Sequence, residues 1–101
     1  MSLADLKREY TRSLILRLLQ REPGYVANEN LLASQLDELG QALAHDALRV
    51  QLAWLAEQGL VTTKTLMGVM VVASLTLRGH DVAKGNSIVP GVKRPDPEET
   101  I

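Results

Sequence analysis

The stretch Val50-Gln51-Leu52-Ala53-Trp54-Leu55-Ala56-Glu57-Gln58-Gly59-Leu60-Val61 decides the fold, because it ends a helix on glycine and enters a β-strand without a linker. Leu48, Leu52 and Leu55 recur at positions i, i+4 and i+7, which places them on one apolar helix face. Gly59 stands where a helix needs a left-handed C-terminal residue. The segment therefore predicts a helix that packs through its leucines and leads directly into a strand.

This junction resembles the one found in winged helix-turn-helix proteins. In those proteins the third helix ends in the pattern Leu-x-x-Leu-x-x-x-Gly-Leu-Val and runs into the first strand of a hairpin. The matching residues here are Leu52, Leu55, Gly59, Leu60 and Val61. The resemblance implies a winged-helix fold.

The segments before this junction predict two more helices. Ser2 and Asp5 read as a capping-box variant, so the first helix is expected over residues 3 to 20, before Pro23-Gly24. A short strand is expected at Tyr25-Val26-Ala27. Asn28 after it is a good N-cap for a second helix over about residues 29 to 39, which stops at Gly40. A brief turn then starts the third helix at about residue 44, and this short connection is what a helix-turn-helix requires.

The segment after Gly59 predicts a hairpin and a short helix. Strands are expected over residues 61–66 and 69–75, with Met67-Gly68 as the tight turn between them. Period-two alternation places one set of side chains inward, Val69, Val71, Ala73 and Leu75, and another outward, Met70, Val72 and Ser74. Thr76 is expected to cap a last helix over residues 77–84, closed by Gly85.

Length and composition limit the chain to one core. With 101 residues and 46% hydrophobic residues, we predict an α+β winged helix-turn-helix domain over residues 1–85: a three-helix core, a two-stranded wing and a short C-terminal helix. The Pro-containing tail, residues 86–101, is expected to be an arm or disordered. No secretory signal or membrane-length apolar run is visible, so the expected location is the cytoplasm of a bacterial host cell.

Three pieces of the chain give a closer resemblance. The opening Met1-Ser2-Leu3-Ala4-Asp5, the run Leu52–Val61 and the close Val89-Pro90-Gly91-Val92-Lys93-Arg94-Pro95 look like a family of small winged-helix proteins of Mu-like phages and prophages. Members tend to carry Ser or Thr just before helix 3 and a basic residue after it. The Ala44-His45-Asp46 found here weakens both the N-cap and a phosphate contact. The resemblance implies a phage-encoded winged-helix protein and gives no catalytic residues.

Enzyme chemistry is not indicated. The sequence has no glycine-rich phosphate loop, no nucleophile elbow and no cysteine, and His45 and His80 lack partners at ligand spacing. We therefore expect neither a catalytic site nor a metal or other cofactor.

The charges are unevenly distributed along the chain. Residues 1–21 carry a net charge of +3, expected on a solvated helix face or as a basic patch, whereas residues 22–59 carry −5. The helix expected to enter a DNA groove is thus acidic. Few side chains near this helix and the wing could bind DNA, and the candidate contacts are His45, Arg49, Gln51 and Lys64.

Two functions remain open at this point. The first is a DNA-associated factor in regulation or packaging that acts as a homodimer. The alternative is a homo-oligomeric or partner-binding module that does not bind DNA. Apolar side chains at the wing favour an interface in either case, and the candidates are Leu66, Met67, Met70 and Val72.

Overall fold

The computed structural model describes residues 1–99; the last two residues of the predicted tail, Thr100 and Ile101, lie outside the described residues. The elements in chain order are α1 (Leu3–Arg21), a 3₁₀ turn (Pro23–Tyr25), β1 (Val26–Asn28), α2 (Glu29–Glu38), α3 (His45–Glu57), β2 (Val61–Leu66), β3 (Met70–Leu75) and α4 (Leu77–Ala83). The four predicted helices and the predicted hairpin are all present, with ends within one residue of the expected positions. No helix among the described residues is long and apolar enough to cross a membrane.

The helix starts follow from the capping residues. Ser2 and Asp5 form the reciprocal pair of bonds of a capping box at the start of α1. The side chains of Asn28 and Thr76 accept backbone amides at the starts of α2 and α4. At α3 the capping residue is Ala44, whose side chain offers no acceptor, as the sequence predicted. Its first turn therefore keeps amide groups that no side chain caps.

The end of α3 has the geometry that the sequence predicted. Gly59 has a φ of 74°, which is the left-handed region. The amide of Leu60 donates to the carbonyl of Leu55, and the amide of Gly59 donates to that of Ala56, so the last helical carbonyls are satisfied in a Schellman motif. The chain leaves this motif directly into β2, with Leu55 and Leu60 both fully buried.

The sheet has three strands, and one of them is the short strand that the sequence predicts between the first two helices. β3 lies in the centre, with β1 and β2 antiparallel on either side of it. β1 spans three residues and begins one residue later than the predicted Tyr25-Val26-Ala27. Its pairing with β3 was not predicted. The loop between β2 and β3 has three residues, with positive φ at both Met67 (51°) and Gly68 (71°), and the amide of Val69 donates to the carbonyl of Leu66.

The predicted alternation of β3 is partly wrong. Val71, Ala73 and Leu75 pack with the core as expected. Val69 is instead 70% exposed because it belongs to the turn and the strand begins at Met70, which is half-buried. Val72, expected to face outward, is only 7% exposed. It lies on the central strand, opposite Asn28 of β1 and Lys64 of β2.

The core is aliphatic and receives residues from the tail. Leucines of α1, α2 and α3 make up half of its buried residues. Val89 and Val92 join the same cluster, and the amide of Lys93 donates to the carbonyl of Glu9 on α1. The expectation of a free or disordered arm is therefore wrong for residues 89–93, which lie against the helices.

Candidate nucleic-acid interface

The outer face of α3 forms one continuous exposed stripe. Leu48, Leu52 and Leu55 are buried, as predicted. The opposite face carries four exposed residues at i, i+4, i+7 and i+11, namely Asp46, Val50, Ala53 and Glu57. The stripe thus has carboxylates at its two ends and small apolar side chains between them. An exposed helix face of this kind can fit into a DNA groove or pack on a partner helix, but its negative charge repels phosphates.

An ion pair holds the wing next to α3. Glu29, the first residue of α2, is 2% exposed. Its two oxygens accept hydrogen bonds from Nε and Nη2 of Arg49 at 2.7 and 2.9 Å. The same carboxylate accepts the amide of Val71 on β3 at 2.6 Å, and Arg49 also donates to the carbonyl of Val69 at 3.0 Å. One carboxylate and one guanidinium therefore join α2, α3 and the hairpin.

The same contacts stabilise the charged state of both groups. The side-chain bonds from Arg49, and then the amide of Val71, lower the pKa of Glu29. Glu29 in turn raises the pKa of Arg49. Arg49, predicted as a groove contact, thus holds the wing in place, although its side chain remains 46% exposed. Sequence reasoning missed Glu29 because an acidic residue in the first turn of a helix is ordinary.

The other predicted DNA contacts lie apart from one another. His45 Nε2 is 2.8 Å from Asn30 Oδ1, at the start of α3. Gln51 lies on the side of α3 that faces α1, where its Oε1 accepts Arg12 Nε at 2.7 Å. Lys64 is exposed on β2. The structure therefore does not gather these residues into one cluster, and their contact with DNA stays a prediction.

Arg12 is enclosed by Trp54 and two hydrogen-bond acceptors, a position that the sequence did not indicate. Its guanidinium carbon lies 3.8 Å from the ring centroid of Trp54, and Nη1 donates to the carbonyl of Gly91 at 2.9 Å. In the described part of the chain its hydrogen-bond acceptors, Gly91 and Gln51, are neutral. Burial, and then the nearby Arg8, lower the pKa of Arg12. The side chain links α1, α3 and the tail, whereas a solvated position was expected.

The remaining basic residues of α1 divide into two groups. Arg17 is buried and pairs with Glu99 of the tail at 3.0 Å. Lys7 and Arg8 are exposed and border a pocket of about 200 Å³ between α1 and the start of α3. The other residues that line this pocket are Ala4, Thr11, Leu43 and Gln51. Within residues 1–99, no three His, Asp or Glu side chains are grouped so that they could hold a metal ion.

The three-helix unit and its hairpin define a winged helix-turn-helix protein. Solved structures of the hsRosR-S1 and hsRosR-S4 complexes contain chains with this fold: both match 71% of this chain at a TM-score of 0.63 and 26% identity. This chain spans 62% and 61% of the length of those chains. The predicted fold class is thereby confirmed.

Relatives in sequence give the family. The chain belongs to the family of protein gp26 of Escherichia phage Mu, to which it is 47% identical over 92% of its own length and 95% of the relative. A protein of Haemophilus influenzae is 41% identical over 77% of this chain and 76% of that relative. No protein-family model matches the sequence. The resemblance to proteins of Mu-like phages is confirmed.

Replacing Glu29 with glutamine should loosen the wing. The amide keeps the shape but lacks the charge that binds Arg49, so we expect the free energy of unfolding to fall by about 2 kcal/mol at neutral pH. Because folding lowers the pKa of Glu29, its contribution is complete above the ordinary glutamate pKa and is lost as the pH falls through the lower folded value. Urea unfolding between about pH 5 and pH 3 should therefore show a shallower pH dependence for Glu29→Gln than for the parent chain.

Glu38→Gln is the matched control, since Glu38 is exposed at the end of the same helix. It should leave both the stability and its pH dependence nearly unchanged. Equal effects of the two variants would show that the contact with Arg49 does not stabilise the fold.

Proposed function

We propose that this protein is a winged-helix factor that associates with double-stranded DNA in phage gene regulation or DNA packaging, in the cytoplasm of the bacterial host. The observation that carries the proposal is the stripe of α3, exposed along the length of the helix, with the hairpin held next to it by Glu29 and Arg49. A helix and a neighbouring hairpin in fixed relation form the kind of surface that fits a groove and its flanking backbone.

The charges of this surface define what kind of DNA binding to expect. Asp46 and Glu57 on the stripe repel the phosphate backbone, whereas Lys64 on the wing attracts it. Non-specific affinity comes mainly from phosphate contacts. Binding to arbitrary duplex should therefore be weak, and useful affinity requires a preferred sequence or shape.

A salt-dependent titration of the protein with duplex DNA tests this proposal. We expect dissociation constants for arbitrary sequence near or above ~10⁻⁴ M at physiological salt, and tighter binding to a preferred site in the phage genome. Lys64→Ala should weaken binding and reduce the slope of log K against log salt by about 1. Lys84→Ala, an exposed lysine at the end of α4, is the control and should leave the slope unchanged.

Two results would contradict the proposal: no salt-dependent binding to any phage duplex, or equal effects of the two lysine variants. Micromolar binding to random duplex would overturn the charge argument. Arg49→Ala is a poor probe of DNA contact, because it also leaves the buried carboxylate of Glu29 without its cation. A loss of DNA binding in that variant would report on the position of the wing as well as on contact.

A second candidate function is a non-catalytic module that forms homodimers or binds a protein partner without DNA. Exposed apolar side chains favour it. Met67 is 96% exposed and Leu66 45% exposed at the wing, and Val50 is 63% exposed on α3. Soluble monomers seldom leave contiguous apolar surface in water. The acidic stripe of α3 favours the same function, since it suits a basic protein surface better than it suits DNA.

A further inference from the structure

Two surfaces of opposite charge meet at the start of α3. One is the pocket between α1 and α3 with Lys7 and Arg8 at its rim, and the other is the exposed stripe that begins at Asp46. We propose that a second copy of this chain docks here, so that the pocket of each protomer receives the stripe of the other. This inference rests on the self-association in the second proposed function and names its interface.

The pocket suits an apolar side chain with a carboxylate next to it. Its walls include Ala4 and Leu43, and its rim carries Lys7 and Arg8. Arg8 pairs with Asp5 one turn earlier on α1 at 2.9 Å, so Lys7 is the main cation that faces a docking carboxylate. Arg12, which binds the pocket residue Gln51, adds to the positive potential, and the carboxylate of Glu9 offsets part of it. Such a pocket attracts an anionic group on its rim and buries an apolar group below it.

The stripe of α3 presents that combination. Val50 is 63% exposed and lies one helical turn after Asp46, on the same face. Ala53 follows one turn later, and its small side chain permits a close approach of another helix. A protomer that inserts Val50 into the pocket of its partner brings Asp46 towards the basic rim.

The two surfaces are adjacent on one chain, which is what a two-fold dimer needs. Gln51 lines the pocket and Val50 starts the apolar part of the stripe, so both halves share the first turns of α3. A two-fold rotation then places each half on its complement, and both contacts form together. Antiparallel packing of one stripe directly on the other is disfavoured, because Asp46 would approach Glu57 of the partner subunit.

Dimerisation of this kind covers the outer face of α3. A protomer in the dimer cannot place that face in a DNA groove, so DNA and the second copy compete for α3. Raising the protein concentration would then oppose DNA binding through α3. The fraction of protomers with an exposed α3 should therefore fall as the protein concentration rises.

Charge exchange between protomers tests this interface. In one variant the basic rim is inverted, Lys7→Glu/Arg8→Glu, and in the other the acidic stripe is inverted, Asp46→Lys/Glu57→Lys. Sedimentation at ~100 µM should show a dimer for the parent chain and monomers for each variant, because each variant opposes like charges at both contacts. An equimolar mixture should restore the dimer, since each inverted surface then meets its complement.

The control is Glu38→Lys/Lys84→Glu, which changes exposed charges away from the pocket and stripe and should stay dimeric. Circular dichroism checks that each variant folds, and the single variants Lys7→Glu and Asp46→Lys should show a smaller loss, about tenfold in dimer affinity. Inverted variants that stay dimeric, or a mixture that stays monomeric, would overturn the proposed interface while self-association of the parent chain stands. A monomeric parent chain would overturn both.

Discussion

Replacing Gly79 with alanine is expected to destabilise the fold by about 3 kcal/mol or more. At this position α4 crosses the start of β2 so closely that an added Cβ would lie 2.6 Å from Cδ1 of Leu75, and closer still to the carbonyl oxygen of Leu60. Backbone cannot move aside as a flexible side chain does, so α4 would have to shift away from the sheet. Alanine in a helix ordinarily stabilises a protein by about 1 kcal/mol relative to glycine. A loss of unfolding free energy in Gly79→Ala would therefore indicate the close approach of α4 to Leu60, because the usual effect of alanine has the opposite sign.

Thermal unfolding measures this effect directly. For a domain of this size the midpoint should fall by roughly 12 °C or more. Leu77→Ala on the same helix is the control, because Leu77 is 80% exposed and its truncation should change the midpoint little. A Gly79→Ala midpoint equal to or above that of the parent chain would contradict the close approach of α4 to Leu60.

A chain that ends at Gly85 is expected to lose roughly 3–6 kcal/mol of unfolding free energy. The truncation removes Val89 and Val92 from the core, where both are nearly fully buried. The truncation also removes the carbonyl of Gly91, which accepts a hydrogen bond from the buried guanidinium of Arg12. Urea unfolding of the truncated and parent chains provides the measurement, and the m-value shows whether the shortened chain remains compact.

Point variants separate the core contribution of the tail from its length. Val92→Ala should lower the stability, whereas Ile88→Ala in the same segment should change it little, because Ile88 is 69% exposed. A truncated chain as stable as the parent would show that the tail does not contribute to the core.

The helices and the hairpin could be predicted because local chemistry specifies their ends. Ser2, Asn28 and Thr76 each satisfy amides that a helix start leaves free, and Gly59 supplies the conformation that ends α3. Met67-Gly68 specifies the hairpin turn in the same way. These preferences depend on neighbours within a few residues, so they can be read from the sequence without the fold.

The pairing of β1 and the position of the tail could not be predicted because they depend on distant partners. Three residues of β1 carry no periodic pattern, and their pairing depends on where β3 lies. Val89 and Val92 are isolated apolar residues in a proline-containing segment, which locally looks like an arm. Val72 was misplaced because period-two alternation assumes that one face of a strand is exposed, whereas β3 is buried on both faces at Val72 and Ala73.

The charge of the candidate site could be predicted from the sequence, whereas the side-chain contacts within it could not. The acidic outer face of α3 follows from helical spacing, and the structure confirms the positions of Asp46 and Glu57. The ion pair of Arg49 with Glu29 joins residues twenty positions apart on different helices, and only the tertiary fold brings them together. A charged residue on a helix margin can face solvent or a buried partner, and periodicity does not distinguish these two.

The bond between Arg12 and Gly91 joins residues 79 positions apart, so it closes most of the chain into a single loop. We expect such a contact to form late in folding, after the local helices and the hairpin, because closing so long a loop costs chain entropy. Interactions that are absent from the folding transition state act mainly on the rate of unfolding. We therefore expect that weakening the contact of the tail with Arg12 speeds unfolding more than it slows folding.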